Sequence, residues 1–369
     1  MKLLSVNIGK EGSVQRKGYR EKTGIFKIPT GEAVQIGKLS LDGDVILSKK
    51  HHGGPDQAVY IYGDADYAWW RNEFGLELAP GVFGENLTIS ELESATFSIG
   101  DILHIGEVAL QVTAPRIPCK TFAARMEDPQ FVKKFRHAER PGLYCRVLKE
   151  GLVQAGDEVR VEKYAEETVT LLDCYRDVYE TDMSEAGIRR FLAAPIAIRM
   201  QAEKEEQLAK VLDEMKTEKL LRRAIEIAAD ARAHGNHPFG ALLADADGNI
   251  LLEAENTVNT AQDCTGHAET NLMRFASQKY SAEELKACRL YTSTEPCPMC
   301  SGAIFWGEVG CVVYALSEDG LYTITGETPY ELALPCREVF ARGTHLVEVI
   351  GPLLEDEARQ VHLGFWESE

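Results

Sequence analysis

His267-Ala268-Glu269, followed across residues 270–295 by Pro296-Cys297-Pro298-Met299-Cys300, decides how the last third of this chain is read. Two thiols two residues apart, joined by an imidazole from a separate segment, make three ligands that suit a tetrahedral zinc with its fourth position open. An open position is the mark of a catalytic site. A closed knuckle needs a fourth ligand at short spacing, and none stands beside these three. The other competing reading is a Cys-x-x-Cys redox pair with an unrelated histidine.

The residue types explain each other chemically. A zinc held by His267, Cys297 and Cys300 lowers the pKa of a bound water to about 7, so a nucleophile is available at neutral pH. Glu269, two residues past the histidine, is not a ligand. From a helix its carboxylate can take the water's proton and pass it to a ring nitrogen and a departing amine. His-x-Glu with Pro-Cys-x-x-Cys is the pattern of zinc base deaminases, and every fixed position is met.

A chain of 369 residues is expected to form two or three domains, and 44% hydrophobic with 27% charged residues is a globular composition. The formal net charge of -18 argues against a general nucleic-acid binder and favours a small-molecule substrate. Nine cysteines without a secretory leader point to a reducing, cytoplasmic setting and to thiols used for metal or catalysis. No apolar run approaches membrane-spanning length.

Residues 1–163 read as all-β. Short alternating runs at 2–8, 34–41, 58–62, 102–105, 109–112 and 142–148 are separated by Gly, Pro and Asp, and with no long helices they suggest a barrel. Three pieces carry chemistry: His51-His52-Gly53-Gly54-Pro55-Asp56-Gln57-Ala58-Val59, Gly84-Glu85-Asn86-Leu87-Thr88 and Pro115-Arg116-Ile117-Pro118-Cys119-Lys120. A thiolate suits a soft metal, and the basic neighbours Arg116 and Lys120 suit an anion there. The plainer alternatives are a buried, inert Cys119 and a tight turn at His51–Pro55. Cys145 and Cys174 lie in apolar surroundings and read as packing residues.

In order and spacing these three pieces resemble the MOSC domain, a β-barrel family related to the C-terminal part of molybdenum cofactor sulfurases. The nearest likeness is to the branch with a following three-helix module, associated with resistance to N-hydroxylated bases such as 6-hydroxylaminopurine; it covers residues 1–210. The resemblance implies that Cys119 ligates molybdenum or carries sulfur. It implies that His52, Asp56, Glu85, Asn86 and Arg116 line the pocket, with Lys49, Lys50 and Lys120 contacting a pterin phosphate.

Residues 164–212 turn helical, with amphipathic segments at 169–179, 184–193 and 195–208 that match the three-helix module. Residues 201–219 are highly charged and free of Gly and Pro, so the junction is expected to be helical. Met215 resembles the start of an independent protein, which suggests a fused pair of units. Leu220, Ala224, Ile227, Ala228 and Ala231 then form one apolar stripe on a helix over 220–234.

Residues 213–369 alternate strand and helix as an α/β layer fold does. Strands are expected at 241–244 and 250–254 around the turn Asp247-Gly248-Asn249, then at 289–294 and 311–315, with helices at 266–278 and 297–306. The second helix would place thiolates at its N-terminus, where free amides and the dipole favour them.

This part resembles the cytidine-deaminase-like superfamily, in the branch holding guanine, cytosine and tRNA adenosine deaminases, and implies an α/β/α sandwich. By that resemblance Asn256 bonds the base, and Phe239, Gly240 and Ala241 wall the pocket. The amide of Cys297 and the carbonyl of Thr294 or Glu295 would read the ring edge. Asn256 also reads simply as a turn residue. Phe365 and Trp366 could cap the site or pack on the surface, and members of the branch are commonly homodimers. Few basic residues flank the motif, which makes tRNA an awkward partner.

The expected whole is a MOSC barrel, a three-helix module and a zinc deaminase in one cytoplasmic chain. Its deaminase would hydrolyse the exocyclic amine of a nucleobase or nucleoside. Its first domain would bind molybdenum cofactor and reduce N-hydroxylated bases. The rival readings are a first domain that only carries cofactor or sulfur, and a deaminase acting on tRNA.

Overall fold

The computed structural model describes residues 1–16, 19–47, 53–326 and 332–366. It divides into two compact units, Met1–Val211 and Leu212–Glu369. No described helix is long and apolar enough to cross a membrane.

In the first unit eight strands form one sheet in the order Val159–Glu162, Ile102–Ile105, Val108–Pro115, Leu143–Lys149, Val59–Gly63, Leu87–Ile89, Leu3–Gly9 and Lys27–Thr30. All neighbours are antiparallel except Val59–Gly63 with Leu87–Ile89. The bridge between Lys2 and Glu158, with Val159 N donating to Met1 O at 3.0 Å and Leu3 N to Asp157 O at 2.9 Å, joins the first strand of that order to Leu3–Gly9. The sheet therefore rolls into a barrel, with Lys27–Thr30 as a side branch. Val59 and Ile61 point into an aliphatic core with Leu3, Val6, Leu87, Leu110, Val112 and Leu143.

The all-β expectation for residues 1–163 fails in one respect. Three α-helices occur there: Asp64–Phe74, Lys120–Arg125 and Phe131–Ala138. The cause is the pleat: Tyr60, Tyr62 and Tyr144 alternate to the outside of the barrel, and such an apolar outer face needs cover. Trp70 and Phe83 meet Phe131 and Phe135, and Phe122 joins them, in a second core made almost wholly of rings.

Helix Leu171–Asp177 starts at a capping box of Thr170 and Asp173, and Glu185–Ala193 starts at Ser184. The third helix is longer than expected. Ile198–Ala233 runs unbroken for 36 residues because it contains neither Gly nor Pro to stop it. In the first unit its Lys204 is buried and pairs with Asp177 at 2.8 Å.

In the second unit five strands lie in the order Ile250–Glu255, Gly240–Ala244, Arg289–Thr294, Cys311–Leu316, Glu348–Ile350. The first two junctions are antiparallel and the last two parallel. Central strands buried on both faces explain the unbroken apolar runs. Ala241, Leu243, Leu290 and Val312 face helix Ala268–Lys279 through Leu272 and Ala276. Leu242, Ala244, Val313 and Ala315 face the opposite side, where Leu220, Leu221, Ala224 and Ile227 pack. The expected stripe thus points inward, and the result is a three-layer α/β/α sandwich.

Candidate functional site

Strand register brings the second unit's chemistry to one sheet edge. Gly240 pairs with Glu255, Ala241 with Thr292 and Thr294 with Leu316. Phe239, Asn256, Glu295 and Ser317 therefore leave their strands at the same edge, outside the carboxyl ends of the parallel strands, where ligands of open α/β sheets bind.

His267 occupies the N-cap of Ala268–Lys279, and Cys297 the N-cap of Pro298–Trp306. Each lies one residue before the helix expected to carry it. The loop before His267 is held from within the helix: Asn271 Nδ2 donates to Glu255 O at 3.1 Å and Thr257 Oγ1 at 2.9 Å. A side chain at Gly266 would stand 2.8 Å from that Thr257 hydroxyl, so the close approach needs glycine.

His267 Nδ1 lies 3.6 Å from Cys297 Sγ and 3.6 Å from Cys300 Sγ, and the three ligand atoms fall within 4.8 Å of one another. Tetrahedral zinc with Zn–S near 2.3 Å and Zn–N near 2.0–2.1 Å separates N from S by about 3.5–3.6 Å. The donor set and its spacing fit that ion. Hydrogen bonding from Cys300, then from His267, holds the Cys297 thiol well below its ordinary pKa.

Glu269 is buried beside this triad. Its Oε1 accepts from Thr292 Oγ1 at 2.8 Å, and its Oε2 accepts from Cys300 Sγ at 3.4 Å. Burial, and next the charge of Cys297, push its carboxyl above the usual glutamate range, a property of proton carriers.

Asn256 Oδ1 accepts from Val258 N at 3.0 Å, a turn bond, while its buried Nδ2 has no partner. The turn reading accounts for Oδ1, and Nδ2 is left free for a further partner. Phe239 packs on His362, with ring centroids 5.3 Å apart. Gly240 N donates to Ser293 Oγ at 3.1 Å, and Ala241 is buried in the core with Leu272. The Glu295 carboxylate is engaged elsewhere, accepting from Cys336 N at 3.0 Å and Glu318 N at 3.2 Å, so only its backbone remains for a ring edge. Phe365 and Trp366 contact His237 at 6.0 and 5.5 Å, near the Phe239 wall.

Four residues near this edge escaped sequence reading: Asn271, Thr292, Glu318 and His362. Glu318 accepts from Tyr322 OH at 2.8 Å, and burial raises its carboxyl to about 7. Polar residues inside an apolar pattern at 271 and 292 were the available signal. Nothing local marked 318 or 362.

The first unit holds a cavity of about 470 Å³ lined by Lys27, Asp44, Tyr60, Asn86, Arg116 and Cys119, among others. Cys119 stands at the N-cap of Lys120–Arg125. Asn86 is fixed by Tyr60 N at 3.1 Å and by Asp44 Oδ2 at 3.0 Å, and Asp44 also pairs with Lys27. Arg116 is 3% exposed, between the rings of Tyr60 and Phe122, with no carboxylate partner among the described residues. Arg116 donates to Phe83 O and keeps a buried, unpartnered Nε, and a buried charge with no carboxylate beside it suits the pocket to an anion.

Two expected lining residues are placed differently. Asp56 turns to Arg146 at 2.8 Å and accepts from Ile198 N at 2.7 Å, tying the barrel to the start of the long helix. Glu85 lies beneath the cavity, accepting from Tyr67 OH at 2.7 Å and Thr88 Oγ1 at 3.0 Å. Asp56 is taken up by the nearby guanidinium and amide, whereas the hydrogen bonds to Glu85 all end on Oε1 and its buried Oε2 has no partner. His52, Lys49 and Lys50 lie outside the described residues. Cys145 and Cys174 are fully buried packing residues.

Residues 48–160 match the MOSC domain family, and residues 214–316 match the cytidine and deoxycytidylate deaminase zinc-binding region. A probable cytosine deaminase of Schizosaccharomyces pombe is 41% identical over 150 residues, 40% of this chain and 90% of that protein. The uncharacterized protein YflK of Bacillus subtilis is 32% identical over 191 residues, 52% of this chain and 86% of that protein. A Bacillus subtilis guanine deaminase is 44% identical over 102 residues, 27% of this chain and 65% of that protein. With a barrel before the long helix and a five-stranded sandwich after it, this chain belongs to the MOSC family in its first unit and to the zinc-binding cytidine and deoxycytidylate deaminase family in its second.

Proposed function

We propose that the second unit hydrolytically deaminates a free nucleobase. The observation that carries this is the equal 3.6 Å spacing of His267 Nδ1 from both thiol sulfurs, with the buried carboxyl of Glu269 beside them. His267, Cys297 and Cys300 would hold zinc, which when bound makes water nucleophilic at neutral pH. Glu269 takes the proton from the attacking water and returns it to the base, with Thr292 holding Oε1 in place. Asn256 Nδ2 donates to a carbonyl of the substrate, and Phe239 provides an apolar wall. The free bases named for the cytosine and guanine deaminases above are the first substrates to test.

The first unit, on this reading, binds molybdenum cofactor and, with two electrons and two protons from an external reductant, converts an N-hydroxylamino base to the amine and water, so that both units work on the same exocyclic nitrogen. Cys119 would be the metal thiolate, and Arg116 with Lys120 would meet the anionic part of the cofactor. Molybdenum supplies a two-electron centre when bound. The buried Arg116, which has no carboxylate partner among the described residues, lines the same cavity as the free thiol of Cys119 and supports this assignment. The same features also suit a unit that only carries the cofactor.

The test is ammonia release from guanine, cytosine, adenine and their nucleosides, and conversion of 6-hydroxylaminopurine to adenine under a supplied reductant or to hypoxanthine and hydroxylamine without one, by the full chain, with metal content measured and Glu269→Gln as the blank. A chain that holds zinc yet leaves every base and nucleoside unchanged defeats the deaminase reading. A chain that holds molybdenum and, supplied with a chemical reductant, still fails to convert the hydroxylamino base to the amine leaves the first unit as a carrier.

A further inference from the structure

Buried polar side-chain atoms in folded proteins are paired in roughly nine cases of ten. Among the described residues of the second unit four are not: Asn256 Nδ2, His345 Nε2, His362 Nδ1 and Trp366 Nε1. Three of these four gather at one place, because Asn256 N donates to Phe239 O at 3.0 Å while the rings of His362 and Trp366 lie 5.3 and 6.1 Å from the Phe239 ring. Three residues grouped around Phe239 thus each keep an unmet hydrogen-bonding atom, which a polar ligand could satisfy.

His362 is the least explained of them. It is fully buried, its other nitrogen faces Thr294 Oγ1 at 3.4 Å, and Thr294 ends the strand that carries Thr292 and leads into Cys297. The ring is nearly parallel to that of Trp366, at 12°. Burial first, and Arg232 second, push its pKa down to about 4, so the ring is neutral near pH 7. A neutral imidazole has one donor and one acceptor nitrogen. Whichever way the Thr294 hydroxyl turns, Nδ1 takes the complementary role and can meet an N–H or a carbonyl.

We propose that His362 is a substrate-recognition residue of the deaminase site, its Nδ1 hydrogen-bonding a polar atom on the ring edge of a free nucleobase. The inference rests on the deaminase reading above and adds a residue from the far end of the chain. Leaving Nδ1 without a partner in the free protein costs stability, and the bound base removes that cost.

His362→Phe tests it, because phenyl keeps the contacts with Phe239 and Trp366 and deletes both nitrogens. With zinc-loaded full chain and the best base of the panel, KM should rise about tenfold, the ratio expected for one neutral hydrogen bond. The turnover number should stay within about threefold, as for lost binding common to ground and transition states. Zinc per chain should be unchanged and the melting temperature equal or higher. His362→Gln, which restores a donor and an acceptor, should recover part of the KM. An unchanged KM for every base that the natural chain deaminates overturns the proposal, and so does a joint loss of zinc, melting temperature and turnover. If the natural chain holds zinc and releases no ammonia from any free base, the deaminase reading falls and takes this inference with it.

Discussion

The Thr292 hydroxyl stands 2.8 Å from Glu269 Oε1, reaching across from the central strand to the helix that follows His267. That donor favours the ionised carboxylate, while burial opposes it. Thr292→Val removes the favourable part, so the carboxyl's pKa rises further and the acid limb of kcat/KM moves to higher pH. The loss of rate should be larger near pH 6 than near pH 8, and a pH profile of ammonia release checks it.

Glu269→Gln should keep the three metal ligands and lose the proton carrier. Zinc content by elemental analysis should stay at the natural level, with deamination lower by about a thousandfold. Cys297→Ser should lose both zinc and activity. Zinc removal by chelator should abolish ammonia release, and re-addition should restore it only in the natural chain.

The low pKa of His362 has a consequence for stability. Its folded value near 4 lies below the ordinary 6.5, so between these values the unfolded chain binds more protons. Stability is therefore full above pH 6.5 and falls as pH drops toward 4. Relative to His362→Phe, the natural chain should lose about 2 kcal/mol between pH 7 and 5, measured by urea unfolding.

Trp306 is 83% exposed, at the end of the helix that bears both cysteines. Met299 and Gly302 share its helical face, and His345 stacks on Phe305 beside the exposed Leu346. An exposed apolar patch of this kind is the expected contact for a second copy of the chain. Light scattering should give a dimer. Trp306→Glu should give a monomer that still holds zinc.

Arg116 should decide cofactor retention in the first unit. Arg116→Met fills the space between Tyr60 and Phe122 without a charge, so the fold should persist. Chains expressed in a host that makes molybdenum cofactor should then carry about tenfold less molybdenum, as should Cys119→Ala. Zinc in the second unit should be unaffected by either change.

Much of this was legible because the signals are local. Cys297 and Cys300 lie within one helical start, the His-x-Glu pair within another, and period-two and helical apolar patterns mark strands and helices directly. Of the three helices on the barrel, Phe131–Ala138 does carry a helical apolar period at Phe131, Phe135 and Ala138 that the all-β reading passed over, whereas Lys120–Arg125 is too short to show one. They are helical because an aromatic outer face of the sheet needed covering.

By itself the sequence determined the donor set, the two-family make-up and the inward stripe of the long helix, since each depends on residue type at short spacing. Only the tertiary structure decided that Asp56 and Glu85 turn away from the cavity, that Glu295 spends its carboxylate on two backbone amides, and that His362 reaches the Phe239 wall. Those outcomes rest on contacts between segments far apart in the chain, and a polar side chain bonds whichever partner the fold brings within 3 Å, which no local pattern encodes.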